Sequence, residues 1–316
     1  MKTTITVIGT GAIGASIGLA LKEANVPVEL IGHDRLLERA RQAKALGAFD
    51  RVEWNLIRAV EPADLVVLAV PPSAVLPTLQ AIREDLRPGT VVTDTVEVKA
   101  PVLAWAAETL PHNVHFVGGH PLVRVAETGP QAAWSNLFRG RRYCVVPAPD
   151  ADEKAVETVV RLVHHLGATP FFLDAAEHDA LVTGVHHLPA LTILAIARLL
   201  VESPSWKDLD TLADGLFAHV ATLVEMAPAD LRAFSFANRE HLVHWLGTLQ
   251  EELGEWVELL REGREEAFEE RVTGVQDALQ RWRESQRPPE WYRHARERAS
   301  WTRMLGFRRF LPDRDL

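Results

Sequence analysis

The feature that most constrains this fold is a glycine fingerprint at the start of the chain. The apolar run Ile5-Thr6-Val7-Ile8 reads as a strand and Gly9-Thr10-Gly11-Ala12-Ile13-Gly14 as a tight turn, after which Ala15–Leu21 has helical spacing. A second apolar run, Val28-Glu29-Leu30-Ile31-Gly32, ends near Asp34, twenty positions beyond Gly14. In such a unit the first glycine permits the turn, the second lets backbone approach a pyrophosphate, and the third lets the helix pack on the strand. The helix amino terminus offers unpaired N–H groups and a positive dipole end to the phosphates. Gly9, Gly11, Ala12, Ile13 and Gly14 are therefore candidate cofactor contacts. Asp34 is placed to accept from a ribose 2′-hydroxyl, which favours NAD because a carboxylate repels the extra phosphate of NADP. Arg35, beside it, is the residue that would hold that phosphate instead. FAD-binding chains share the fingerprint, but hydride exchange with NAD is the simpler reading at this length.

The first half alternates strand and helix. Strand-like runs are Thr4–Gly9, Pro27–Ile31, Leu65–Val70, Thr90–Thr93, His115–Val117, Arg142–Val146 and Thr169–Leu173, with helical stretches such as Leu36–Leu46, Val75–Glu84 and Asp152–Leu166 between them. That alternation predicts an α/β fold, a mostly parallel doubly wound sheet with ligands at the strand carboxyl ends. After about Ala175 strand signals stop. Glu177–Leu200, Leu209–Met226, Asp230–Arg261 and Arg264–Glu284 then read as helices, with Pro204 and Pro228 marking breaks. The expected division is a nucleotide-binding domain over 1–174, a helical domain over 175–286 and a basic extension over 287–316. Leu242, Trp245, Leu246, Leu249, Leu253, Trp256, Val257 and Leu260 form an apolar stripe that needs a partner, so a homodimer through the helical half is expected.

Composition narrows the function. With 316 residues and a formal charge of −9, the chain suits about two domains and is no general binder of nucleic acid or anionic membranes. One cysteine, Cys144, excludes an internal disulfide framework and fits a cytoplasmic location. It lies in Tyr143-Cys144-Val145-Val146, which predicts a buried structural thiol. No leader segment is expected, because the amino terminus runs straight into a strand. The stretch Ala180–Ala197 lacks Asp, Glu, Lys and Arg but carries His186, His187 and Pro189. It reads as a buried helix beside a site rather than a membrane span. No His-Glu-x-x-His or paired-cysteine pattern marks a metal site. The tail from Arg287 has eight arginines against four acids and reads as an extension packing its aromatics on the body.

Three segments lie where strands end or domains meet: Thr93–Lys99, Phe116–Leu122, and Glu177-His178-Asp179 followed by His186-His187-Leu188-Pro189. His120 follows a strand through two glycines, where it can accept a hydroxyl proton as hydride leaves. His186 and His187 are adjacent, so on a regular helix they face different directions.

Together these segments resemble the prephenate and arogenate dehydrogenases of tyrosine biosynthesis. The matching pieces are Gly9–Gly14 with Asp34, Ala69-Val70-Pro71-Pro72, Thr93-Asp94 with Val98-Lys99, Gly119-His120-Pro121, Glu177-His178-Asp179, His187-Leu188-Pro189 and Asn238-Arg239-Glu240. The resemblance implies a Rossmann domain followed by a helical dimerisation domain. It adds Val70 and Pro71 as cofactor contacts, and it implies an NAD-dependent oxidative decarboxylation of a small carboxylate substrate. His120 matches the catalytic histidine, and His187 matches one that positions substrate.

Four departures concern the substrate pocket. Val96-Glu97 stands where the family has Gly-Ser, Leu122–Val125 follows His-Pro in place of small residues, and Ala190 replaces a second histidine. The stretch ending at Thr222 lacks the family's carboxylate-binding arginine. Losing such a contact costs about 1.5–3 kcal/mol. Arg124, four positions after His120, is the candidate replacement, opposite a solvated loop role. Two alternatives stay open: the same fold acting on another cyclohexadienyl or hydroxy acid, and a catalytically impaired dinucleotide-binding relative.

Overall fold

The structure, a computed structural model, describes residues 3–285 apart from 124, 126, 127, 214 and 222–226. Among these residues eight strands form one sheet: β1 (Thr3–Ile8), β2 (Val28–His33), β3 (Arg51–Val52), β4 (Leu65–Leu68), β5 (Val91–Asp94), β6 (His115–Pro121), β7 (Arg142–Pro147) and β8 (Thr169–Phe172). Their order is β3-β2-β1-β4-β5-β6-β7-β8, all neighbours parallel except β6 and β7. The helices between them are α1 (Ala12–Glu23), α2 (Leu37–Ala45), α3 (Leu56–Val60), α4 (Pro72–Ile82), α5 (Ala100–Thr109) and α6 (Glu153–His165). This is the expected doubly wound sheet. Its strand order reverses between β1 and β4, which opens a crevice over their carboxyl ends.

Alternate residues of each strand feed opposite faces. Val7, Leu30, Val67 and Val145 join α1 and α6 in one apolar cluster, while Ile8, Val66, Leu68 and Val92 join α4 and α5 in another. β4 and β5 are buried throughout, as parallel strands with both faces covered must be.

Two features of the sheet depart from the sequence reading. Two-residue β3, paired with Ile31 and Gly32, is too short to leave a periodic signal. β6 continues past Val117 to Pro121 because β7 runs antiparallel beside it, setting His120 opposite Cys144 and Pro121 opposite Tyr143. The two glycines that read as loop are there for want of space. A Cβ on Gly119 would lie 2.5 Å from the Asp94 carbonyl oxygen, and one on Gly118 2.8 Å from that of Val146.

After β8 come α7 (Ala175–Val182), a π-helical turn (Thr183–His187) and α8 (Leu188–Val201). Together they form a helical run of 27 residues, long and apolar enough to cross a membrane by length and composition. The expectation of a buried helix holds only for its first part. His178, Asp179, Val182, Thr183 and His187 are buried, but no residue of α8 is, and Leu199 is 74% exposed. The helices Trp206–Leu212 and Leu216–Ala221 lie against it in part, but Ile196, Leu199 and Val201 stay exposed.

The remaining helices are α9 (Trp206–Leu212), α10 (Leu216–Ala221), α11 (Pro228–Ala237), α12 (Arg239–Arg261) and α13 (Glu265–Ser285). The helix expected over Leu209–Met226 starts earlier and is interrupted before α10, where Gly215 adopts a φ of +63°. The one expected over Asp230–Arg261 breaks at Asn238, whose φ of −109° and ψ of 29° are not helical.

The chain forms two compact units, Met1–Gly247 and Thr248–Leu316. In the second, Arg271 pairs with Glu252 and Glu255 and lies over the ring of Trp256. The basic segment 287–316 lies outside the described residues.

Candidate active site

The glycine loop is shaped by contact. Gly9 has a φ of +93°, and a Cβ there would lie 2.2 Å from the Ala69 carbonyl oxygen. A Cβ on Gly14 would lie 1.9 Å from that of Gly9. Around Gly11 the space is open, with nothing within 4 Å of a Cβ position. α1 begins there without a side-chain cap and without an acid in its first turn. An open cradle under uncapped N–H groups suits a pyrophosphate. Asp34 is tied to the loop: Oδ2 accepts from the Thr10 N–H at 2.9 Å and hydroxyl at 3.2 Å, and Oδ1 from the Leu36 N–H at 2.8 Å. Val70 and Pro71 follow β4, Val70 beside Gly9, while Arg35 is exposed.

The reactive groups gather at the ends of β5 and β6. Buried Lys99 donates to Asp94 and, at 2.8 Å, to the Gly119 carbonyl. Asp94 also accepts from the Gly119 N–H at 3.0 Å, so this ion pair holds both backbone polar groups of the residue before His120. Burial lowers the Lys99 pKa, opposed by Asp94. His120 is 5% exposed, and its Nδ1 lies 2.9 Å from Nε2 of His178. His178 Nδ1 lies 2.8 Å from Asp179 Oδ1. Asp179 in turn accepts from the Lys99 N–H at 2.7 Å and the Ala100 N–H at 2.9 Å, at the start of α5. Burial, then His178 and Lys99, holds the His120 pKa well below 6.5. Opposite it on β7, burial pushes the Cys144 thiol up to about 11, so it is the inert thiol its apolar setting predicts.

Glu97 faces the same group of histidines. Its Oε2 lies 3.2 Å from His186 Nδ1 and its Oε1 4.0 Å from His187 Nε2. Burial raises the Glu97 pKa, but the His186 hydrogen bond and the charges of His187 and His186 bring it below its ordinary value. His186 and His187 thus border one carboxylate although they are adjacent. The π turn allows it: the Leu188 N–H bonds five residues back to Thr183, and Pro189 follows. His187 stacks on Phe234 with ring centroids 4.1 Å apart. Both its ring nitrogens are buried without a hydrogen-bond partner, and burial lowers its pKa to about 4.

Two sets of possible metal ligands meet at His120, one with Cys144 and His178 and one with Glu97 and His186, each with ligand atoms within 4.8 Å of one another. In each set two of the three donors already hydrogen-bond to each other, His120 with His178 and Glu97 with His186.

The structure brings His120, Glu97 and His187 together and places the glycine loop at the same carboxyl edge of the sheet. Arg124 and Thr222 lie outside the described residues. Sequence reasoning left out Asp94, Lys99, His178, Asp179 and His186 as site residues. All five stand in segments it singled out, but their contacts span up to 89 positions and leave no local signal.

Known proteins place the chain in a family. The profile "prephenate dehydrogenase, nucleotide-binding domain" matches residues 17–171, and "prephenate dehydrogenase, dimerization domain" matches 174–273. Prephenate dehydrogenase of Bacillus subtilis is 29% identical over 77% of this chain and 66% of its own length. The probable prephenate dehydrogenase NovF of Streptomyces niveus is 35% identical over 65% of this chain and 54% of its own. The matched segments thus span less than two thirds of either relative. Prephenate dehydrogenase from A. aeolicus, solved with hydroxyphenyl propionate and NAD+, shares the fold with a TM-score of 0.82 at 22% identity, covering 89% of this chain and 98% of that one.

Proposed function

This chain belongs to the prephenate dehydrogenase family, and we propose that it is an NAD-dependent oxidoreductase that converts prephenate or arogenate to 4-hydroxyphenylpyruvate or tyrosine. The observation that carries this is a buried histidine held unprotonated at the end of β6, on the same edge of the sheet as an open phosphate cradle. NAD+ in that cradle supplies the hydride acceptor. The first N–H groups of α1 hold its pyrophosphate and Asp34 its ribose, with Val70 and Pro71 alongside and Arg35, next to Asp34 in the chain, the cation for an added phosphate. His120 accepts the hydroxyl proton as the carbinol carbon gives up hydride. Carbon dioxide then leaves, its bonding pair enters the ring, and the proton returns to the phenolate oxygen. Aromatisation drives the sequence, so the protein chiefly orients the substrate and moves one proton.

His187, with two unpartnered nitrogens, meets a polar group of the substrate, and Arg124 takes a carboxylate in place of the arginine missing at Thr222. Glu97 bears on the choice of substrate. Both acids carry two carboxylates, which an anion there opposes, but it also attracts the ammonium that arogenate has in place of the keto oxygen of prephenate. NADH formation with each acid, supplied with NAD+ or NADP+, tests the reading. Turnover with NAD+ and a higher kcat/KM for arogenate are expected. Tight NAD+ binding without turnover of either acid would show an impaired relative instead. Arg124→Ala raises KM if Arg124 holds the carboxylate, and unchanged kinetics remove it from the site.

The domain division near residue 174 is supported by the meeting of the two family profiles between 171 and 174. We further infer a cytoplasmic homodimer. The name of the second profile and the uncovered apolar residues of α8 and α12 support the dimer, and the single cysteine supports the location.

A further inference from the structure

We propose that Asp179 and His178 are positioning residues that fix which nitrogen of His120 carries the proton, leaving Nε2 as the base. The inference rests on the proposed role of His120 and adds how that role is set. Each of the three contacts to the Asp179 carboxylate comes from a nitrogen: Lys99 N and His178 Nδ1 at Oδ1, and Ala100 N at Oδ2. A carboxylate can only accept, so His178 Nδ1 must carry its hydrogen. With one proton per ring, His178 Nε2 then presents a lone pair. The group facing it at 2.9 Å is His120 Nδ1, which must therefore donate. His120 is left with a bare Nε2 on the far side of its ring, the state a general base requires.

The arrangement follows the logic of a catalytic triad, in which a buried carboxylate selects the tautomer of the working histidine. Here a second imidazole stands between the two. The surroundings favour a single orientation. His178 is 0% and Asp179 1% exposed, and the amino end of α5 favours the negative charge. The Lys99–Asp94 pair holds the Gly119 backbone, the strand segment from which the His120 ring projects. Burial also keeps His120 neutral, as the chain of single protons needs.

Nitrogen-15 NMR of the histidine-labelled wild-type protein reads the tautomer directly, without turnover. The Nδ1–H form of His120 is expected, and an Nε2–H form overturns the proposal. Two variants supply the kinetic test. His178→Leu removes the acceptor, and its kcat should fall by about 10²–10⁴-fold, the usual worth of a general base, while KM and NAD+ affinity change little. His178→Gln restores an oxygen that can accept from His120 and an amide that can donate to Asp179, so most of the loss should be recovered. Equal losses in both variants, or a loss carried by KM, overturn the proposal. If the wild type turns over neither acid, the proposed reaction fails, while the NMR result still decides the tautomer.

Discussion

A buried histidine with no hydrogen-bond partner makes stability depend on pH, and His187 is such a residue. Its pKa is about 4 in the folded chain, against an ordinary 6.5. Between those values the unfolded state binds the extra proton and the folded state does not. Stability is therefore full above pH 6.5 and falls as pH drops toward 4. The difference amounts to roughly 3 kcal/mol at most. Urea unfolding across that window should show the decline, and His187→Leu should flatten it; parallel curves would mean that His187 titrates normally. His120 carries the same sign into catalysis. Because its pKa is held well below 6.5, the acid limb of kcat/KM should lie below the ordinary histidine range. A limb at the ordinary value would place the base elsewhere. His120 and His187 were legible from the chain alone because they sit in short motifs. His178 was not, since its value lies in a contact to a residue 58 positions away.

At the scale of elements, β5, β6 and the start of α5 work as one clamp. Lys99 and Asp94 are both fully buried, so each is tolerable only because the other is there. Lys99→Met leaves the Asp94 charge without its counter-ion and should cost about 3–5 kcal/mol in urea unfolding. A loss under 1 kcal/mol would show that Asp94 takes up a proton at little cost. Gly119→Ala tests the same clamp from the strand. The added methyl meets the Asp94 carbonyl oxygen and, at 2.9 Å, the Tyr143 hydroxyl, so β6 must shift and His120 with it. Turnover should drop more than NAD+ affinity, because the glycine loop lies on other strands. The strands β1, β2, β4 and β5 could be read from runs of branched apolar residues bounded by turns. The continuation of β6 through two glycines could not, because what keeps it extended is β7, twenty-odd residues later. The π turn was hidden for a similar reason. Its sequence is apolar and helical in pattern, and only Pro189 hints that the regular bonding must change.

For the whole molecule, the question is what covers the apolar surface of the helices. In α12, Leu253 is 55%, Val257 47% and Leu260 68% exposed, and in α8 Ile196 is 46% and Leu199 74% exposed. Side chains of this size are worth about 1.5–3 kcal/mol each when fully buried, so a sustained stripe of them is unlike an ordinary solvated face. The sequence already showed that the stripe on α12 needs a partner, but could not show that the chain's own described elements bury Leu242 and leave Leu253, Val257 and Leu260 exposed. A second copy is the simplest cover, since an isologous interface lets each helix meet its own counterpart. Sedimentation equilibrium should therefore return twice the mass of one chain at micromolar concentration. Leu253→Glu with Leu260→Glu places four like charges in that interface and should shift the protein toward monomer. If the variant sediments as the wild type does, α12 is not the interface. If the wild type is itself monomeric with these residues exposed, the stripe serves some other partner.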